Sequence, residues 1–105
     1  AGPCYHSHTV KEDKLILDFN NVDQGIKPFA TPSVNFELAG VDQVFYPAKA
    51  EIKGNKIVLQ SDKVKQPVAA RYAFKMWVTG DFYNTEGLPA SSFRTDDWFA
   101  PQYGK

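Results

Sequence analysis

The chain has 105 residues, of which 43% are hydrophobic and 14% aromatic, and its 12 basic residues balance 12 acidic ones. This length suits one domain with its own core. A neutral charge without a run of Lys or Arg argues against a nucleic-acid partner. No apolar stretch reaches the ~20 residues that span a bilayer, so we expect no membrane partner either.

The first residues indicate a piece of a longer protein, because Ala1 is preceded by neither an initiator methionine nor a secretion signal. Cys4 is the only cysteine, so the chain can form no internal disulfide. Since Cys4 lies beside Pro3 near a terminus, we expect it to be inert.

Alternation of apolar and polar residues predicts about seven short strands, with turn signals every ~8–12 residues. The predicted strands cover residues 5–10, 15–19, 34–39, 44–46, 48–53, 56–60 and 68–74. The third is half-buried, with Val34, Phe36 and Leu38 on the inner face and Asn35, Glu37 and Ala39 on the outer face. Gly54 and Asn55 form a two-residue hairpin signal between two of them. No long stretch keeps helical spacing between caps. The sequence therefore predicts an all-β fold, an antiparallel sandwich formed by residues 1–105 as one domain.

The last of these strands alternates Val68, Ala70, Tyr72 and Phe74 on a buried face with Ala69, Arg71, Ala73 and Lys75 on a wetted face. Truncation of a buried aromatic is costly, so Tyr72→Ala should be barely folded. Arg71→Ala should be mild on the same reasoning.

A long irregular segment follows, with no lasting period from residue 82 to residue 98. Such segments are usually functional or disordered, and this one is too rich in aromatics for disorder. We expect Phe93 to insert into the sandwich or a neighbouring domain. We expect Arg94 to bind a carboxylate such as Asp96, because a loop needs side-chain anchors in place of a hydrogen-bonded ladder.

His6 and His8 are the only pair of residues that suggests a metal ion. Residues i and i+2 of a strand project to one face, so both imidazoles can approach one ion. Two ligands do not make a site, and no third ligand is suitably spaced. We therefore expect two solvent-facing histidines on an outer strand, with no metal and no cofactor.

Two segments carry a resemblance to a known family. ARYAF (residues 70–74) and FYNTEGLPASSFRTDDW (residues 82–98) closely resemble the C-terminal end of the sialate O-acetylesterases, carbohydrate esterases of the SGNH-hydrolase type. Residues 45–58 and the first five residues also look like that family, and residues 88–97 match most specifically. Phe74 stands where the family usually has tryptophan, and Ser92 where it usually has proline.

The resemblance implies a parent enzyme that is secreted or periplasmic and removes acetyl groups from sialic acid or another sugar with a serine–histidine–aspartate mechanism. The family's nucleophile block and its aspartate–histidine pair do not occur in this sequence, so no position inherits a catalytic role. The resemblance therefore implies a non-catalytic C-terminal domain whose partner is the upstream catalytic domain of the same polypeptide.

A free-standing carbohydrate-binding module, with an acetylated sugar as partner, is the alternative. Aromatic rings stack on sugars, and the candidates for this are Trp77, Phe82, Tyr83, Trp98, Phe99 and Tyr103. The same rings can instead close the end of the sandwich or pack on a neighbouring domain, which we favour. The candidate contacts to a domain or a sugar are Tyr83, Asn84, Leu88, Phe93, Arg94, Asp96 and Trp98.

Overall fold

The computed structural model describes residues 1–75 and 78–104, which form nine strands in two sheets. The strands are β1 (Cys4–Lys11), β2 (Lys14–Asn20), β3 (Phe36–Ala39), β4 (Val44–Pro47), β5 (Lys49–Lys53), β6 (Lys56–Gln60), β7 (Ala69–Tyr72), β8 (Phe93–Arg94) and β9 (Gln102–Tyr103). The smaller sheet has the order β1-β2-β6-β5 and the larger sheet β8-β7-β3-β4-β9. All neighbours are antiparallel except β4 and β9. Within the described residues, no helix is long and apolar enough to cross a membrane.

The two sheets pack face to face over one apolar core. Cross-strand partners such as Leu15 with Leu59 and Phe36 with Tyr72 share the inner faces. The buried residues contributed by the strands are Leu15, Leu17, Phe36, Leu38, Ile57, Leu59, Ala70 and Tyr72. The predicted all-β sandwich and its seven longer strands are confirmed. β8 lies in the segment predicted to be irregular, and β9 lies beyond that segment, where no strand was predicted.

The larger sheet is buried on both faces, which the sequence pattern did not predict. Glu37, Ala39, Ala69 and Arg71 occupy positions predicted to be wetted, yet all four are buried. A second apolar cluster of Ala39, Phe45 and Ala69 covers this outer face, and Trp98 packs against it. The alternation was misleading because residues 95–104, which follow β8, fold back over the outer face of the sheet as a third layer. We call these residues the returning segment.

The burial predicted for the ends of two strands is also wrong. Val34, Val68 and Phe74 were placed on buried faces, and all three are exposed. The strand β7 ends at Tyr72 because Ala73 adopts a left-handed conformation with φ of 49°, which L-residues rarely take. The turn directs Phe74 away from the core, and the Ala73 N–H donates to the Asn35 carbonyl over 2.9 Å.

Tyr72 connects β7 to the segment that follows it. Its hydroxyl oxygen accepts hydrogen bonds from the backbone N–H groups of Asp81 and Phe82, both over 2.9 Å. Its ring lies 4.7 Å from that of Phe36 and 5.7 Å from that of Phe82, measured between centroids. Burial raises the pKa of the Tyr72 hydroxyl, so this group stays a neutral acceptor at ordinary pH.

The hydroxyl and the ring of Tyr72 should make separable contributions to stability. Tyr72→Phe keeps the ring but leaves two N–H groups without an acceptor, so the free energy of unfolding should fall by about 1–3 kcal/mol. Tyr72→Ala should cost about 3–5 kcal/mol, because it also removes the ring from the core. Chemical denaturation measures both, with Tyr46→Phe at a half-buried tyrosine of β4 as the control. A Tyr72→Phe variant as stable as the control would contradict the role of the hydroxyl.

Candidate functional site

The seven candidate residues occupy three places in the structure. Tyr83, Asn84 and Leu88 lie in the loop that leads from the end of β7 back to β8. Phe93 lies at an edge of the core, in contact with both sheets. Arg94, Asp96 and Trp98 belong to the segment that crosses the outer face of the larger sheet. The structure therefore does not bring the candidates together in one site.

Asn84 is buried, and the loop depends on its amide group. The side-chain nitrogen donates to the Asn21 carbonyl over 3.1 Å and to the Ala1 carbonyl over 3.5 Å. The side-chain oxygen accepts from the Leu88 N–H over 3.0 Å. Gly2 passes so close that a Cβ there would overlap the Pro89 carbonyl. These contacts fix the N-terminal residues against the loop, so the Asn84 side chain has a structural role.

Phe93 packs against the core between the two sheets. Its ring stacks on Tyr5 of β1 at 5.4 Å and on Tyr72 of β7 at 5.6 Å, and it meets Phe19 of β2 edge-on at 5.7 Å. Insertion into the sandwich is one of the two positions predicted for Phe93. Its contacts on both sheets make it an anchor for the returning segment.

Arg71, and not Arg94, is the partner of Asp96. The Arg71 Nε donates to Asp96 Oδ2 over 3.0 Å and its Nη2 donates to Oδ1 over 2.7 Å, a bidentate pair. Its Nη1 also donates to the Tyr103 hydroxyl over 2.7 Å. The two side chains are 4% and 2% exposed, so the mild effect predicted for Arg71→Ala has no basis in this environment.

The pair is electrostatically matched in spite of its burial. Burial by itself would raise the pKa of the Asp96 carboxyl, but hydrogen bonds from Arg71 and from the Trp98 N–H outweigh it and hold that pKa below its ordinary value. The hydrogen bond to Asp96 raises the pKa of the Arg71 guanidinium. Both groups are therefore charged at neutral pH, and each Asp96 oxygen already accepts a hydrogen bond from Arg71.

Aromatic rings surround the pair. The Arg71 guanidinium lies 4.6 Å from the centroid of Phe45 and 4.9 Å from that of Phe74. The rings of Trp98 and Tyr103 each lie 5.7 Å from that of Phe45. Trp98 therefore contributes to the cover over the sheet, and within the described residues no buried side-chain nitrogen or oxygen lacks a hydrogen-bond partner.

Arg94 is exposed and takes a different position from the one predicted. Its guanidinium lies 5.2 Å from the ring of Phe74, on which Arg71 also stacks. Phe74 thus contacts two cations while part of its ring stays open to solvent. Neither Arg71 nor Phe74 was among the predicted site residues, although an arginine inside the apolar run VAARYAF indicates a buried, paired cation.

Few aromatic residues remain available for stacking on a sugar. Phe82 is buried in the core and Tyr83 is half-buried at a surface cavity of about 200 Å³. Phe99 is 96% exposed and Tyr103 is partly exposed. Trp77 lies outside the described residues. The single aromatic that projects freely is therefore Phe99, within the part of the chain that the structure describes.

The two histidines, both expected to face solvent, differ in exposure. A β-bulge between Tyr5 and Ser7 interrupts the alternation of β1 at His6. The half-buried His8 shares a hydrogen bond of 2.7 Å between its Nδ1 and the Tyr5 hydroxyl, whereas His6 is exposed. No cluster of three metal-ligating side chains occurs among residues 1–75 and 78–104. Cys4 is exposed, with its sulfur 3.6 Å from the Gly2 carbonyl.

Nearly the whole chain is similar to part of a solved structure. XAC1771, a carbohydrate acetylesterase from Xanthomonas citri, aligns with 93% of this chain at 31% sequence identity and a TM-score of 0.78. The chain is therefore similar in sequence and in fold to part of a carbohydrate acetylesterase. It spans 23% of the length of XAC1771, so it corresponds to a domain-sized part of that enzyme. No protein-family model and no curated protein matches the chain.

Because of the buried ion pair, the free energy of unfolding should fall as the pH is lowered into the acidic range. Because the folded-state pKa of Asp96 is lowered, its contribution is complete above the unfolded pKa of ~3.9 and disappears as pH falls through the folded value. At pH 7, Asp96→Ala should lower the free energy of unfolding by about 3–5 kcal/mol, since it leaves Arg71 buried without its partner. The difference from the wild type should shrink below about pH 4.

Glu51→Ala is the matched control, because Glu51 pairs with Lys53 on the surface. An exposed pair contributes about 0–1 kcal/mol, so this variant should resemble the wild type at every pH. Urea denaturation between pH 7 and pH 3 measures both variants. An Asp96→Ala difference that stays constant over this range would contradict the assignment of the acid sensitivity to Asp96.

Proposed function

We propose that this chain is a non-catalytic accessory domain of a carbohydrate O-acetylesterase of the sialate O-acetylesterase type. In this proposal an upstream SGNH-type catalytic domain of the same polypeptide hydrolyses acetyl esters on sugars, and the parent enzyme is secreted or periplasmic. The observation that carries the proposal is the similarity of nearly the whole chain to a domain-sized part of a carbohydrate acetylesterase.

The positions of residues 82–98, the segment that resembles the esterase family, support a structural role for the domain. Asn84, Phe93 and Asp96 lie within the sequence that resembles the esterase family, and each side chain binds or packs against this chain itself. Residues that recognise a ligand must keep donors, acceptors or ring faces available to it. In this domain these three side chains instead hold the loop and the returning segment against the sandwich. We therefore assign them a role in folding and in support of the enzyme.

The proposal divides the work of the enzyme between domains. Acyl transfer by a serine esterase requires a nucleophile, a histidine base and an oxyanion hole in mutual contact. In this proposal all three come from the upstream domain, and the present domain limits the motion of that domain by packing on it. The residues that recognise the sugar then lie outside this chain.

A carbohydrate-binding module is the second candidate, and the exposure of Phe99 favours it. A phenylalanine that is 96% exposed on a loop held at both ends presents an open ring face. The loop is held by the hydrogen bond from the Trp98 N–H to Asp96 and by the bond of 3.1 Å from the Gln102 N–H to the Gln43 carbonyl. A sugar ring can stack there.

Two alanine variants in the full-length parent separate these candidates. If the domain supports the enzyme, Phe93→Ala should lower the melting temperature and leave the Michaelis constant for an acetylated sugar unchanged, because Phe93 is a core anchor. Phe99→Ala should then change neither quantity. A normal melting temperature with a Michaelis constant raised tenfold in Phe99→Ala, worth ~1.4 kcal/mol, would favour the binding module.

The isolated chain offers a complementary test. With 4-nitrophenyl acetate or an acetylated xylo-oligosaccharide it should give no turnover above buffer, because the sequence lacks the nucleophile block of the esterases. Calorimetry with acetylated and plain sialic acid should give no heat of binding. Saturable turnover that persists through re-purification would contradict the accessory-domain proposal.

A further inference from the structure

An apolar surface with a small cavity lies where the outer face of the larger sheet meets one end of the sandwich. Val34, Phe74 and Val78 contribute the exposed apolar part of this cavity, whose volume is about 50 Å³ and whose lining also includes Asn35, Glu37, Ala73 and Lys75. Val34 is 84% exposed, and Phe74 and Val78 are each more than a third exposed. We call these three apolar residues the Val34 surface. Neighbouring apolar side chains that are open to water gain free energy when another surface covers them.

The Val34 surface is held in shape by hydrogen bonds and by stacking. The Asn35 side-chain nitrogen donates to the Thr79 carbonyl over 2.9 Å and to Asp81 Oδ1 over 3.1 Å, which joins the chain before β3 to the chain after β7. The guanidinium groups of Arg71 and Arg94 lie 4.9 and 5.2 Å from the ring of Phe74. Binding to a surface that is already ordered carries a smaller entropic penalty.

The N-terminus lies at the same end of the sandwich. β3 begins and β7 ends there, since Phe36 pairs with Tyr72. The Tyr72 hydroxyl binds the Phe82 N–H, and Asn84, two residues further on, binds the Ala1 carbonyl. A domain attached before Ala1 therefore starts at the end that carries the Val34 surface. The turn that contains Val41 joins β3 to β4 at the opposite end.

The size and the charge of the surface indicate what covers it. A volume of about 50 Å³ is far below the ~300–1,000 Å³ of small-molecule pockets, so an apolar side chain fits this cavity better than a sugar ring. The charge of Lys75 is matched by Glu37 at 3.0 Å. Arg94 is exposed beside Phe74 and can receive a carboxylate from a partner.

We propose that the Val34 surface is the docking face for the upstream catalytic domain, which inserts an apolar side chain into the cavity and places an acidic group at Arg94. This inference rests on the proposed function, because that proposal supplies the domain before Ala1. Docking at this end requires no long connection between the two domains. The opposite end, with the equally exposed Val41, stays free.

A cleavable form of the full-length protein tests the docking face directly. A protease site is placed before Ala1, the protein is cut, and the dissociation constant of the two halves is measured. Val34→Glu should weaken the association at least tenfold, because docking would bury an unpaired carboxylate at the interface, close to Glu37. Arg94→Glu should weaken it as well. Val41→Glu is the matched control, at 86% exposure against 84% for Val34, and should leave the constant unchanged.

Two further measurements keep the outcomes distinct. Both valine variants should leave the melting temperature of the isolated chain unchanged, since surface substitutions rarely affect folding. Equal effects of Val34→Glu and Val41→Glu on the association, or halves that separate in the wild type, would overturn the docking face. Esterase activity of the uncut protein is assayed separately on an acetylated sugar, and its absence would overturn the proposed function instead.

Discussion

The ion pair between Arg71 and Asp96 is the interaction on which the outer half of the domain depends. Removing two charges from water is costly, and only good geometry and further hydrogen bonds offset this cost. The pair has both, since its bidentate contact is supplemented by the Tyr103 hydroxyl and the Trp98 N–H. It fixes the returning segment at one point, and the hydrogen bond from the Gly104 N–H to the Phe45 carbonyl fixes it at another. Phe45, Ala39 and Ala69 are shielded from water as a result.

This third layer explains the assignment of a supporting role. A small domain has limited core volume, so covering a second face of one sheet increases the apolar area removed from water. Residues that otherwise looked suited to a ligand are used within the domain: Asp96 binds Arg71 and Trp98 contacts Phe45 in the cover, and Phe93 packs between the sheets. Of the exposed apolar residues that remain, Val34 and Phe74 lie at one end of the larger sheet and Val41 at the other.

The sequence predicted the strands well because a strand imposes a two-residue period that can be recognised in a single chain. Gly54 and Asn55 fixed one hairpin, and Leu15 with Leu17 marked one inner face. The same period could not show that a distant segment covers the other face, so Glu37 and Arg71 were placed in water. The partner of Asp96 was also missed, because Arg71 is 25 residues away and Arg94 is near in sequence. Ala73 ends β7 through a left-handed backbone, which alanine does not signal.

The most direct test of this account is a double-mutant cycle on Arg71 and Asp96, with Arg71→Ala, Asp96→Ala and the double variant unfolded in urea at pH 7. The account predicts a coupling energy of about 2 kcal/mol or more, because each single variant leaves a buried charge that the double variant does not contain. A coupling energy below about 0.5 kcal/mol, typical of independent sites, would show that the two residues do not hold the third layer together.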